Sequence, residues 1–293
     1  MRTTLVGWKK GPWIRPASLW LDAPPVGRGL RFVSSCLVPA GRRSDRALSG
    51  AFTGRYHFGL GRPFLTAPEG EPIRLGAAKV RLLPSGQVHG AAQLHFRIDE
   101  GAVLYTAGFR PGGTDLAPPP RFLPADTWIL RLDAPPEDGF SWAPWMDDLA
   151  ARSTAQPGME LRVAHVWLAA ELAAGLAARL DRAPRLDVPS RRTERWRRAG
   201  GPLPGPLPGD VKGDPRITLG AASEGEVILV GPDEEVGLSI PMAPNVEALC
   251  AAAREVAPEE ILITGAAATT WTEALSEAGL PIRAAGRGPR RLL

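Results

Sequence analysis

The sequence predicts an α/β protein on three observations. Short apolar segments bounded by Gly, Pro and Ser fill the first half, a strand runs directly into a helix at 159–180, and strand and helix signals alternate from 226 onward. In order, strands are expected at 19–21, 30–34, 79–83, 94–98, 102–106 and 127–132, where apolar, β-branched and aromatic residues cluster between turn formers. Residues 115–120 and 134–139 read as loops on their Pro and Gly content. A strand at 159–166 feeds a helix at 168–180, in which Leu172, Leu176 and Leu180 recur at helical spacing. The Pro- and Gly-rich stretch 200–212 marks a boundary. Beyond it come strands at 226–230 and 236–240, a helix at 245–256, a strand at 260–264, a helix at 270–278 and a strand at 281–284. Asn245 suits an N-cap and Gly279 a helix stop.

Bulk properties narrow the function classes. Hydrophobic residues make up 44% and charged residues 23% of 293, which fits a folded globular chain rather than a disordered one. The formal charge of +4 is compatible with a polyanion partner without requiring one. No run approaches the ~18 apolar residues of a membrane helix, and the first 16 residues lack an apolar targeting core, so a cytoplasmic protein without membrane contact is expected. Cys36 and Cys250 form no C-x-x-C pair, in keeping with a reducing compartment.

The segment PSGQVHGAAQ at 84–93 resembles the P-A-G-H-x-L-G-S-A-Q segment of the β-CASP nucleases, enzymes of the metallo-β-lactamase fold. The likeness is strongest to bacterial DNA ligase-associated exonucleases. YTAGF at 105–109 resembles that family's Y/S-x-G-D-Y/F strand end, and DTWILR at 126–131 its C-D-T-x-I-x-E segment. FVSSCLVPAG at 32–41 stands where the family has V-I-T-H-x-H-x-D-H-A. VGLS at 236–239 resembles the strand before S-D-H-A-D, and ILITG at 261–265 the strand before H-G. The resemblance implies a four-layer αββα sandwich from residues 1–150 and 211–293. Between them, 151–210 would form a shortened β-CASP-like α/β insertion with its linker.

It also implies that the chemistry has gone. A hydrolytic zinc centre needs several imidazoles and carboxylates converging on the metals. The family's four ligands of the H-x-H-x-D-H run fall on Ser35, Leu37, Pro39 and Ala40. The later histidine falls on Gln87, the bridging aspartate on Gly108, the next acid on Arg131, the pair from S-D-H-A-D on Ile240 and Pro241, and the last histidine on Gly265. The expectation is a pseudoenzyme with no catalytic residue, no metal and no cofactor. The four histidines, at 57, 89, 95 and 165, show no metal-binding spacing; His89 and His95, with Asp133 nearby, could hold a single residual ion, although scattered histidines are more often hydrogen-bonded structural groups than ligands. Arg131 puts a cation where the family puts metals, either paired with Asp133 or Asp126 or open to an anion.

Two further features bear on partners. Arg191, Arg192, Arg195, Arg197 and Arg198 surround Trp196, a set suited to phosphate contact and base stacking, although such runs are commonly solvated helix faces. Trp8, Trp13 and Trp20 near the start, and Trp142 and Trp145 in a Pro-flanked loop, are either interface anchors or core. No phosphate-binding glycine loop is present, and no nucleophile elbow surrounds Ser34, Ser35 and His57. Three functions stay open: a non-catalytic subunit or scaffold bound to another protein of the same operon or pathway, a nucleic-acid-binding module without cleavage, and a hydrolase with a relocated or metal-independent site.

Overall fold

The computed structural model describes residues 5–25, 29–39, 46–59, 64–136, 140–180, 184–187, 190–203, 215–219, 226–230, 235–240 and 243–284. It is a mixed α/β fold of three sheets. The first has five strands in chain order, β1 (Val6–Trp8), β2 (Pro12–Ile14), β3 (Leu19–Leu21), β4 (Leu30–Val33) and β5 (Arg46–Ser49). Helix α1 (Ala51–Phe58) follows directly. The second sheet contains β6 (Ile73–Leu75), β7 (Ala78–Pro84), β8 (Ala92–Ile98), β9 (Gly101–Thr106) and β10 (Thr127–Arg131).

Next come α2 (Trp142–Ala155), β11 (Glu160–Val163), α3 (Val166–Leu180), β12 (Arg185–Asp187), α4 (Ser190–Arg198), β13 (Arg216–Leu219), β14 (Glu226–Val230) and β15 (Glu235–Ser239). The chain then forms α5 (Val246–Val256), β16 (Glu260–Thr264), α6 (Ala268–Glu277) and β17 (Ile282–Ala284). Strands β16 and β17 return to the second sheet, whose order is β17-β16-β10-β9-β8-β7-β6.

Strand alternation explains how the first two sheets meet. Val80, Leu82, Leu94, Phe96, Val103, Tyr105 and Ile129 project from one face of the second sheet and share a core with Ile14, Leu19, Leu21, Phe32 and Leu48 of the first. The opposite side chains of β9, β10 and β16, namely Leu104, Trp128, Leu130, Ile261 and Ile263, are covered by Leu249, Val256, Trp271 and Leu275 of α5 and α6. On the far side of the first sheet, Val33 and Ala47 pack against Phe58 of α1. A fourth core joins α2, α3 and α4 to the sheet of order β12-β13-β11-β14-β15, and reaches Phe52 and Val88 of the first half.

Sequence and structure differ in three places. Trp142 and Trp145 lie in α2 rather than in a loop; Pro144 sits in the first helical turn, where its missing N–H breaks no helical bond. In the third sheet β13 pairs with β11 and β12, β14 with β11 and β15 with β14, so pairing joins 216–239 to 160–187 across the boundary expected at 200–212. Helix α1 had no periodic signal, because buried and exposed positions do not segregate to opposite faces in AFTGRYHF. Residues 204–212 of the expected linker lie outside the described residues. No helix among the described residues is long and apolar enough to cross a membrane.

Candidate functional site

Strands β9, β10 and β16 are mutually parallel, so the loops leaving Thr106, Arg131 and Thr264 emerge at one edge of the sheet. The turn after β4 and the loop after β7 reach the same edge; Ala92 N donates to Ser34 O at 2.7 Å and Arg110 N to Ser85 O at 3.2 Å. The result is a cavity of about 290 Å³ lined by Ser35, Leu37, Val38, Gln87, Ala107, Gly108, Arg131, Leu132, Asp133, Ala134 and Ala243.

Five of the ten positions singled out from sequence therefore meet in one place: Ser35, Leu37, Gln87, Gly108 and Arg131. Gly265 is adjacent, since a Cβ built there would lie 2.4 Å from Leu132 O and 2.8 Å from Asp133 Oδ1, and its φ is +107°. Two positions do not join them. Pro39 is exposed, and Ile240 is buried in the core around the third sheet. Ala40 and Pro241 lie outside the described residues.

The lining is held by buried polar groups behind it. Asp22 accepts from Ser34 N (2.8 Å), Ser34 Oγ (2.5 Å) and Tyr105 Oη (2.9 Å). Burial raises the Asp22 carboxyl above its usual range, against the pull of those donors. Gln93 Nε2 donates to the carbonyls of Pro84 (2.9 Å) and Arg121 (3.1 Å), while its Oε1 accepts from Thr106 Oγ1 at 2.6 Å. Trp128 Nε1 completes the chain by donating to Thr106 Oγ1 at 3.0 Å. Gln93 and Thr106 are both fully buried, so this network ties β7, β8, β9 and β10 together just below the cavity.

The donor set does not fit a two-metal hydrolytic centre. Asp133 is the one carboxylate in the lining, and it binds Arg131 Nε at 2.8 Å; the side chains are 54% and 31% exposed. A side chain at 108 would need the space taken by Gln87, whose Nε2 lies 2.7 Å from a Cβ built on Gly108. No group of three or more His, Cys, Asp or Glu suited to a metal occurs among the described residues. Of the two expected partners for Arg131, Asp133 is the one used; Asp126 instead accepts from Ala102 N at 2.6 Å.

The histidines serve elsewhere. His89 Nδ1 lies 3.1 Å from Leu116 O and its ring packs on Phe52, whereas His95 Nε2 lies 3.1 Å from Pro124 O on the far side of β8. They form no metal-binding group with Asp133 among the described residues. His57 Nε2 contacts the carbonyl of Ser35 at 3.0 Å, not a serine hydroxyl, and Ser34 Oγ is committed to Asp22, so no nucleophile–base pair forms.

The arginine run forms α4, but its tryptophan faces inward. Trp196 is fully buried against Phe52 (4.8 Å between ring centroids), Tyr56 and His89, and its Nε1 donates to Pro202 O at 3.0 Å. It cannot stack on a base. Arg195 folds over the Tyr56 ring at 4.5 Å and donates to Tyr56 O, and Arg198 pairs with Glu194 at 2.7 Å. Arg191, Arg192 and Arg197 remain exposed. Of the other tryptophans, Trp20 stacks on Trp13 at 5.1 Å and Trp142 donates to Asp115 at 2.7 Å, so both are structural.

Sequence reasoning missed two buried acids, Asp22 described above and Glu171. Glu171 of α3 is fully enclosed, and its carboxylate accepts from Thr114 Oγ1 (2.5 Å) and His89 N (2.9 Å). Burial pushes it up to about 7. Arg110, itself buried and 4.9 Å from the Trp142 ring, opposes that rise, and burial holds the guanidinium down to about 10. A single glutamate within an apolar helical stripe was the available signal, at position 171 of VWLAAELAAGLAARL.

Comparison with known proteins gives fold information only. No family model matches the chain, and no curated protein matches it. Among solved structures, it is similar to a protein of unknown function from Enterococcus faecalis V583, with a TM-score of 0.56 and 10% identity, over 84% of this chain and 77% of that one. At that identity the likeness concerns the course of the chain alone.

Proposed function

We propose that this chain is a catalytically inactive relative of the metallo-β-lactamase-fold β-CASP nucleases, acting as a non-catalytic subunit or scaffold in a bacterial multi-protein system. One observation carries the reading. Positions matched from four separate sequence segments, Ser35 and Leu37, Gln87, Gly108 and Arg131, line a single cavity although nearly a hundred residues separate the first from the last. A chance likeness of short motifs would not be expected to bring them together. The layer order, with α1 outside the first sheet and α5 and α6 outside the second, agrees with a four-layer αββα sandwich. On this reading the third sheet and its helices are the counterpart of that family's insertion, extended by the strands at 216–239.

Loss of hydrolysis follows from side-chain type. Activating water on a metal, or holding a metal at all, needs several basic donors, and this lining offers a hydroxyl, an amide and one carboxylate neutralised by arginine. The expected result is substoichiometric zinc after metal saturation and gel filtration, no EDTA-sensitive nuclease activity, and capture of a protein encoded beside this chain. One bound zinc per chain with nuclease activity would overturn the reading. Nucleic-acid binding through α4 remains as a second reading only on the exposed Arg191, Arg192 and Arg197. Unchanged polynucleotide retention at low salt after converting these three to Glu would remove it.

A further inference from the structure

The outward face of β6, β7 and β8 carries an array of cations that form no ion pair among the described residues. Register sets Arg74 directly opposite Lys79, and Lys79 directly opposite Arg97, so three positive side chains stand in one row across three adjacent strands. In the neighbouring row Arg81 is opposite His95. Their alternates Val80, Leu82, Leu94 and Phe96 point into the core between the sheets, which fixes this row on the other side. Like charges directly opposite on paired strands destabilise a sheet. Lys79, Arg81 and Arg97 form no ion pair among the described residues, although Asp99 lines the same hollow of about 390 Å³. His95 lies beneath them, its basicity lowered by burial and by Arg81 and Arg97.

The helical layer on this side of the sheet is also incomplete. Helices α5 and α6 cover the outward side chains of β9, β10 and β16, whereas among the described residues β7 joins that core only through Leu83 near its end, and β6 and β8 contribute nothing to it. Adjacent strands are spaced about 4.8 Å apart. Carboxylates at i and i+3 or i+4 of a helix are spaced about 5–6 Å apart, close to the interval between Arg74, Lys79 and Arg97. We infer that this face is a docking surface for an acidic helix of a partner protein, laid across the strands so that one charged stripe meets the cation row. The inference rests on the subunit reading above for the nature of the occupant, and on the register and charge for the place.

The test uses the full chain and a labelled helical peptide built from Glu and Ala with Glu at i and i+4, followed by fluorescence anisotropy at low ionic strength. A scrambled peptide of the same composition and an oligodeoxythymidylate serve as comparisons. The helical peptide is expected to bind about tenfold more tightly than the scrambled one. Lys79→Glu combined with Arg97→Glu should lower its affinity about tenfold or more, and Arg191→Glu with Arg192→Glu on α4 should leave it unchanged. An independent readout is stability. Lys79→Glu alone places a carboxylate between two guanidiniums, so its Tm should rise by roughly 1–3 °C as its binding falls. Equal binding of the two peptides, an equal loss in the α4 variant, or a Tm that fails to rise would overturn the inference. Tighter binding of the oligonucleotide, lost with the same substitutions, would reassign the face to nucleic acid. Zinc uptake or nuclease activity would defeat the non-catalytic reading without changing these binding results, so the two failures are distinguishable.

Discussion

Replacing Glu171 with Gln tests how the fold manages its most enclosed carboxyl. The side chain is fully buried in α3 and receives hydrogen bonds from Thr114 Oγ1 and His89 N, yet it ionises only at about 7 instead of 4.5. The native state thus holds this proton more tightly than the unfolded chain does. The group's contribution to stability is therefore most favourable below pH 4.5, declines as the pH rises to about 7, and is constant above that. The difference between the two plateaus is about 3 kcal/mol. Gln has nearly the same shape and does not titrate; its Oε1 can accept from His89 N while its amide faces the Thr114 hydroxyl. Urea unfolding followed by tryptophan fluorescence, from pH 5 to pH 8.5, should show the wild-type chain losing stability relative to E171Q by up to about 3 kcal/mol. Asp22, also raised by burial, is present in both proteins and cancels in the comparison. Parallel pH profiles for the two proteins would refute the assignment.

Other outcomes follow from individual contacts. Trp196→Ala empties the space between Phe52, Tyr56 and His89 and should cost about 3–5 kcal/mol in chemical denaturation. Gly265→His, which puts an imidazole where the proposed resemblance would have one, should lower stability by more than about 2 kcal/mol and bind no zinc, because backbone geometry at φ +107° and the Leu132 carbonyl leave no room for a Cβ. Asn245→Ala removes the acceptor for Ala248 N at the start of α5 and should cost about 1 kcal/mol, read as a fall in Tm without change in the rest of the circular dichroism spectrum.

Much of the layout was legible in the sequence, for reasons visible in particular elements. Strands at 226–230 and 260–264 occur with the expected bounds because compact apolar segments between turn formers have few alternatives. Asn245 caps α5 as expected, and Gly279, at φ +76°, ends α6. Motif order was enough to nominate five residues of one cavity, since the parallel strands that carry them end at a common edge.

Partner choice between strands was not legible. Nothing local in 216–219 or 235–239 distinguishes joining the third sheet from joining the second, because pairing depends on which neighbours the rest of the chain supplies. The cation row on β6 to β8 was invisible for the same reason: Arg74, Lys79 and Arg97 are scattered in sequence and aligned only by register. The arginine run misled in the opposite direction, since high charge around Trp196 concealed that its indole fills a core.

The hydrogen-bonded anchors Asp22, Gln93 and Thr106 are absent from the cavity surface they support. Substitutions on that surface need not disturb the load beneath it, so the recess can keep its form while its lining changes. The shape of the cup is thus set by the anchors and its chemistry by the rim, and the two can be varied independently.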